Sequence, residues 1–208
     1  MKNLGFINSF TAILLILIGF SSCKENKNLS FNDSEIELIT TYKNSIMPLK
    51  TINTKEDSLF LRNIATPLSF NDIKSEYFTY LTGSMLKTVT NPENEGVGIA
   101  APQVGISKQL IAVQRLDKSN EPFEFYVNPK IISTIRDKQP GGEVCLSVPD
   151  MRGEVSRYRK IVIEYNNIED FEIKSDTIEG FTAVIFQHEI DHLNGILYID
   201  KADNICNK

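Results

Sequence analysis

The sequence predicts an α+β fold, with helices before and after a strand-rich middle rather than regular βαβ alternation. Three observations carry that expectation. Apolar residues recur at helical spacing in residues 33–47, 72–88 and about 180–193. Runs rich in β-branched and aromatic residues fill much of the span between 109 and 166. The chain has 208 residues, 41% hydrophobic and 24% charged, which suits one domain with a real core.

The chain opens with "MKNLGFINSFTAILLILIGFSSC". One cation, Lys2, precedes an apolar run from Phe10 to Phe20. That run is too short to span a bilayer as a helix and suits the hydrophobic region of an export signal. Its end, Ser21-Ser22-Cys23, resembles a bacterial lipoprotein signal, although Phe20 stands where leucine is commoner and Ser22 where glycine or alanine is. A plain N-terminal membrane anchor or a buried helix is the competing reading. The expectation is a signal over residues 1–22, lipid on Cys23 and a location in the bacterial cell envelope. A tether and N-terminal helix then cover 23–47, and one catalytic domain covers 48–208. A start at Met47 would instead give a cytoplasmic protein and would remove the first helix.

In residues 33–47, Ile36, Ile39, Ile46 and Met47 set a loose helical pattern, with Asp33 as N-cap and Pro48 as the stop. In residues 72–88, Ile73, Tyr77, Tyr80, Leu81, Met85 and Leu86 follow the 3.6-residue period. A glycine-rich loop follows at 95–105. "QLIAVQRL", "FEFYVNPKIISTI", "VCLSVP" and "KIVIEYN" read as strands. The last helix runs from about Gly180 to Leu193, closed by Asn194-Gly195. A net charge of −5 argues against nonspecific nucleic-acid binding, so no nucleic-acid partner is expected, and a monomer is. An exported chain permits a Cys145–Cys206 disulfide. Cys206 reads as an ordinary tail residue, and Cys145 has a different candidate role.

Both histidines of the chain lie in "QHEIDHLNG", four residues apart. On a helix they share a face, so His188 and His192 can reach one metal ion. Glu189 points about 100° away and reaches a water on that ion without ligating it. This H-E-x-x-H pattern serves metal-assisted hydrolysis with the glutamate as general base. Phe181, Val184 and Ile185 continue the histidine face, which places an apolar pocket beside the site. The alternative is two half-buried histidines beside a surface glutamate. A tetrahedral hydrolytic site needs a third protein ligand. No histidine remains, so the choice lies between an acid and the thiolate of Cys145.

Three motifs then line up in order: "GVGIAAPQVG" (96–105), "EVCLSVP" (143–149) and "QHEIDHLNG" (187–195). Together they resemble bacterial peptide deformylase, with weaker likeness in "EDSLFLRNIATPL" and "VNPKI"; the likeness spans about 48–200. The resemblance implies a deformylase-like fold, antiparallel or mixed sheets packed around a central metal-binding helix. It implies Cys145, His188 and His192 as ligands of one divalent ion, iron(II) in the family, with zinc(II) accommodated. It implies Glu189 as proton carrier. Gln103 and the backbone N–H of Leu146 would donate to the formyl oxygen. N-formylmethionyl peptides would bind extended between Val97 and Gly98 on one bank and Glu143 and Val144 on the other. Phe181, Val184, Ile185 and His188 would line the methionine pocket. Glu143 and Arg157 match a bridging pair; alone, each reads as a solvated surface charge.

One departure bears on the site. The family motif has glycine where this chain has Val144, a position that disfavours valine if φ is positive and tolerates it if the backbone is extended. With the sequence running to Lys208, the long C-terminal helix found in many members is not expected. A second functional reading follows from Val144: a weakly active or inactive envelope protein that binds formyl-peptides.

Overall fold

A computed structural model describes residues 30–207. The expected signal (1–22), the lipid site at Cys23 and most of the tether lie outside the described residues. Helix α1 spans Asp33–Thr41, α2 Lys55–Leu61, α3 Phe70–Ile73 and α4 Glu76–Val89. Strand β1 spans Gly98–Ala100, β2 Leu110–Gln114, β3 Phe123–Cys145, β4 Val148–Asn166 and β5 Ile173–Glu179. Helix α5 spans Gly180–Leu193, and β6, Asn204–Asn207, follows. The strands form one sheet in the order β1-β2-β3-β4-β5, with β6 added to β4. Every pair is antiparallel. The one parallel contact among the described residues is an isolated bridge, Thr66 to Lys108. The fold is the expected α+β.

Several expected boundaries move. The cap of α1 is Asn32, not Asp33: its side chain accepts from the Glu35 N–H at 2.9 Å while Glu35 returns a bond to the Asn32 N–H. The helix stops at Thr41, not at Pro48, and residues 46–50 carry no regular secondary structure. The pattern over 72–88 is two helices. Ser75 interrupts them, its hydroxyl donating to the Asp72 carbonyl at 2.6 Å and capping Phe78 at the start of α4. The strands expected at 123–135 and 144–149 are parts of one long hairpin. β3 runs through Pro140-Gly141-Gly142, and "VCLSVP" spans its turn into β4. Cys206 is exposed and unbridged, paired in β6 with Arg152.

Asp72 ties the N-terminal segment to α3. Its carboxylate accepts from Ser30 N–H (2.7 Å), Ser30 Oγ (2.8 Å), Ser69 N–H (2.6 Å) and Ser69 Oγ (2.6 Å). Burial would raise this carboxyl, but the Ser69 and Ser30 bonds outweigh it and hold the pKa below the ordinary 3.8. A depressed pKa stabilises the fold above the unfolded value, and that contribution is lost as pH falls through the folded value. Asp72→Ala should therefore lower unfolding free energy by about 2 kcal/mol at neutral pH. In urea titrations the gap between variant and parent should shrink below about pH 4.

Helix α5 passes through the middle of the molecule. Ala183, Phe186 and Leu193 are almost fully buried against strand residues Ile111, Ile161 and Ile178. Phe186 meets Tyr126 edge-to-face at 4.7 Å. A helix covered on nearly all sides holds its side chains in fixed rotamers, which suits a site that needs exact placement. Gly195 ends it with φ +70°.

Candidate active site

Three elements converge on the histidines. Helix α5 supplies His188, Glu189 and His192; the tip of the β3–β4 hairpin supplies Cys145; the 3₁₀ turn Ala101–Val104 supplies Gln103. The ligand-capable atoms of Cys145, His188 and His192 all lie within 4.8 Å of one another. Cys145 Sγ is 3.2 Å from His192 Nε2. Among the described residues, the third group brought to the two histidines is the thiol of Cys145.

The surroundings fix each group. Glu143 Oε2 lies 2.8 Å from His188 Nδ1, which leaves the other ring nitrogen for the centre. Arg157 holds Glu143 from behind at 2.7 and 3.0 Å, and its remaining arm reaches Asp191. Lys201 also bonds Asp191, at 2.7 Å. Glu143 and Arg157 are 7% and 4% exposed, so neither is the solvated charge that each suggested alone. Asp191 was missed by sequence reasoning. The only signal was an acid inside the H-E-x-x-H run, on the side turned from the metal.

Gln103 is oriented by its carbonyl, which accepts from the Ala100 N–H at 2.8 Å. Its amide N–H₂ group therefore faces Cys145 Sγ (3.6 Å) and Ser147 Oγ (3.3 Å). Glu189 is 4% exposed, and its Oε2 is buried without a hydrogen-bond partner. Glycine at 98 makes room for it: a Cβ there would stand 2.5 Å from Glu189 Oε1 and 2.8 Å from Ile185 Cγ2.

Electrostatics follow from this packing. Burial pushes the Glu189 carboxyl up to about 7, against the pull of both imidazoles. Burial also opposes ionisation of Cys145, yet the charge of His192 and hydrogen bonds from both rings hold its thiol well below the ordinary value. Burial acts to raise Glu143, but His188 and Arg157 hold it down at about 2. A thiolate flanked by two imidazoles is the donor set that a divalent ion of borderline softness takes. Ligand atoms around a tetrahedral ion stand roughly 3.3–3.8 Å apart. The observed spread needs only small side-chain movement to meet that, so the residues fit a metal.

Beside the trio lies a cleft of about 200 Å³. Val97, Gly98, Val144, Leu146, Phe181, Val184 and Ile185 line it, together with Glu143, His188 and Glu189. His192 lies behind, 1% exposed. Val144 sits in β3 and is not among the residues with positive φ. It falls at a register shift between Glu143 and Cys145, but with φ outside the left-handed region valine is tolerated, and its side chain is 54% exposed at the cleft.

A Cys-His-His cluster on a buried H-E-x-x-H helix, beside a Glu189 Oε2 that has no hydrogen-bond partner among the described residues, defines a metal-dependent hydrolase. A model of the polypeptide deformylase family matches residues 49–208, and the chain belongs to that family. A peptide deformylase from Natranaerobius thermophilus is 34% identical over 159 residues, 76% of this chain and 96% of the relative. A solved class I type b peptide deformylase from Acinetobacter baumannii is 38% identical with TM-score 0.66, covering 75% of this chain and 98% of that one. The Met-Ala-Ser-bound structure of the Acinetobacter protein is 36% identical with TM-score 0.66, covering 76% and 99%.

Proposed function

We infer that the protein hydrolyses the N-formyl group of N-formylmethionyl peptides, releasing formate and a free amino group. The observation that carries this reading is the convergence of Cys145, His188 and His192 within 4.8 Å, with the Glu189 carboxyl beside them. Cys145, His188 and His192 would hold one divalent ion, which would supply Lewis acidity toward the formyl oxygen and water. Glu189 takes a proton from the attacking water and passes it to the leaving amine as the C–N bond breaks. Gln103 Nε2 and the Leu146 N–H donate to the oxygen that gains charge; losing one such donor costs roughly 10²–10³ in rate. Phe181, Val184, Ile185 and His188 receive the methionine side chain. Iron(II) is the metal that family membership favours, and zinc(II) the one that suits an oxidising compartment, where an Fe(II)–thiolate is vulnerable.

The test is formate release from formyl-Met peptides by the purified protein loaded with either ion. Absence of turnover with metal bound would favour the peptide-binding alternative. Val144→Gly removes two methyl groups from the cleft bank. It should lower KM severalfold with kcat little changed, because no group that touches the formyl carbon moves.

We propose separately that the protein is a monomer held in the cell envelope by lipid on Cys23. No helix among the described residues is long and apolar enough to cross a membrane, and the composition of residues 1–23 is what supports the anchor. Cys23→Ala should shift the protein from the membrane fraction to the soluble fraction on cell lysis.

A further inference from the structure

Phe181, 52% exposed, forms one wall of the active cleft and also borders a second, open cavity. Asp117, Gln139, Arg159, Glu179 and Thr182 line that cavity. Its carboxylates are balanced: Asp117 by Arg115 at 2.6 Å and Glu179 by Lys160 at 2.5 Å. Arg159 is not. Its Nε is buried without a hydrogen-bond partner, and its Nη2 makes one long bond, 3.4 Å, to the Pro140 carbonyl. The buried Nε is closed to a ligand, so the donors that a carboxylate can reach are the two terminal nitrogens, whose paired N–H groups match its two oxygens.

Arg159's position along the cleft indicates which carboxylate. Among the described residues, β1 pairs only with β2, and residues 128–145 of β3 pair only with β4. The free edge of β1 at Gly98, with Gly96 and Val97 leading into it, and the free edge of β3 at Gly142–Cys145 therefore line one cleft. That arrangement grips an extended peptide through its main chain. The reacting end lies at Cys145, and the β3 bank runs back from there to Gly141. A Cβ on Gly141 would stand 3.2 Å from Arg159 Nη2, so the guanidinium marks that end of the bank. Four strand residues span about 13 Å, the reach of three to four residues of extended peptide.

We propose that Arg159 binds a carboxylate carried three or four residues downstream of the formyl group, so that the protein favours short formyl-peptides with a free C-terminus. The proposal rests on the deformylase reading above and names a substrate class for the same site. Released peptides of that length are what an envelope enzyme would meet.

The experiment compares formyl-Met-Ala-Ser as free acid and as C-terminal amide on the metal-loaded protein. The acid should show a KM lower by about fivefold to tenfold, the scale of one charge-assisted hydrogen-bonded pair. The ratio should fall with added salt, because an accessible ion pair is screened. Arg159→Gln should bring the ratio to about one, and Arg159→Lys should keep part of it. An amide peptide with aspartate at the third position that regains the low KM would support the proposal and assign the carboxylate to a side chain. Calorimetry with the product Met-Ala-Ser, acid against amide, should show the same ratio without turnover. Equal KM values in the parent protein, or a ratio that persists in Arg159→Gln, would overturn the carboxylate site. No formate from any of these peptides would overturn the deformylase reading itself.

Discussion

Glu189→Gln is expected to cut formate release by about 10²–10⁴-fold while leaving the bound metal in place. The expectation comes from position. Glu189 Oε2 is buried and has no hydrogen-bond partner, so no structural bond is lost when the carboxyl becomes an amide. Glutamine keeps the volume that Gly98 and Ile185 enclose, so the helix does not repack. What disappears is the ability to accept a proton from water and return it to the amine. Metal analysis and kcat on the same preparation check this. Metal loss in the variant would make the residue a ligand, and unimpaired turnover would remove it from the chemistry.

Cys145→Ala is expected to abolish both tight metal binding and turnover. The thiolate supplies the one anionic ligand, and two neutral imidazoles alone hold a divalent ion far more weakly. Alanine also leaves His192 Nε2 without its 3.2 Å partner and Gln103 Nε2 with only Ser147. The fold should survive, because Cys145 sits at the tip of a hairpin whose ladder continues through Gly142–Glu154 and beyond. Equilibrium dialysis should show affinity lower by several orders of magnitude, with an unchanged circular dichroism spectrum.

The site was more legible in the sequence than the fold around it. His188, Glu189 and His192 lie within one helical turn and a half, so their shared face follows from helix geometry alone. Asn194-Gly195 marked the end of that helix correctly because Gly195 takes a left-handed backbone. Cys145 lies 47 positions from His192, and no periodicity links them; motif resemblance pointed to the pair, and coordinates put the atoms together. The Glu143–Arg157–Asp191 chain was hidden for the same reason. Each residue taken alone is an ordinary surface type, and burial appears only once β3, β4 and α5 pack. Pro140-Gly141-Gly142 misled the strand reading. Proline is tolerated there because it lacks an N–H where β3 has no strand on its outer edge. The break at Ser75 was missed because Ile73 and Tyr77 satisfy the helical period whether or not a cap separates them.

The most direct measurement is a cobalt(II) titration of the metal-free protein, followed by absorption. The account predicts saturation at one ion per chain, with an intense sulfur-to-metal charge-transfer band that is missing in Cys145→Ala and visible band changes in His188→Ala and His192→Ala. Binding of cobalt without a sulfur band, or a band that survives the loss of Cys145, would mean that the thiol and the two rings do not share an ion.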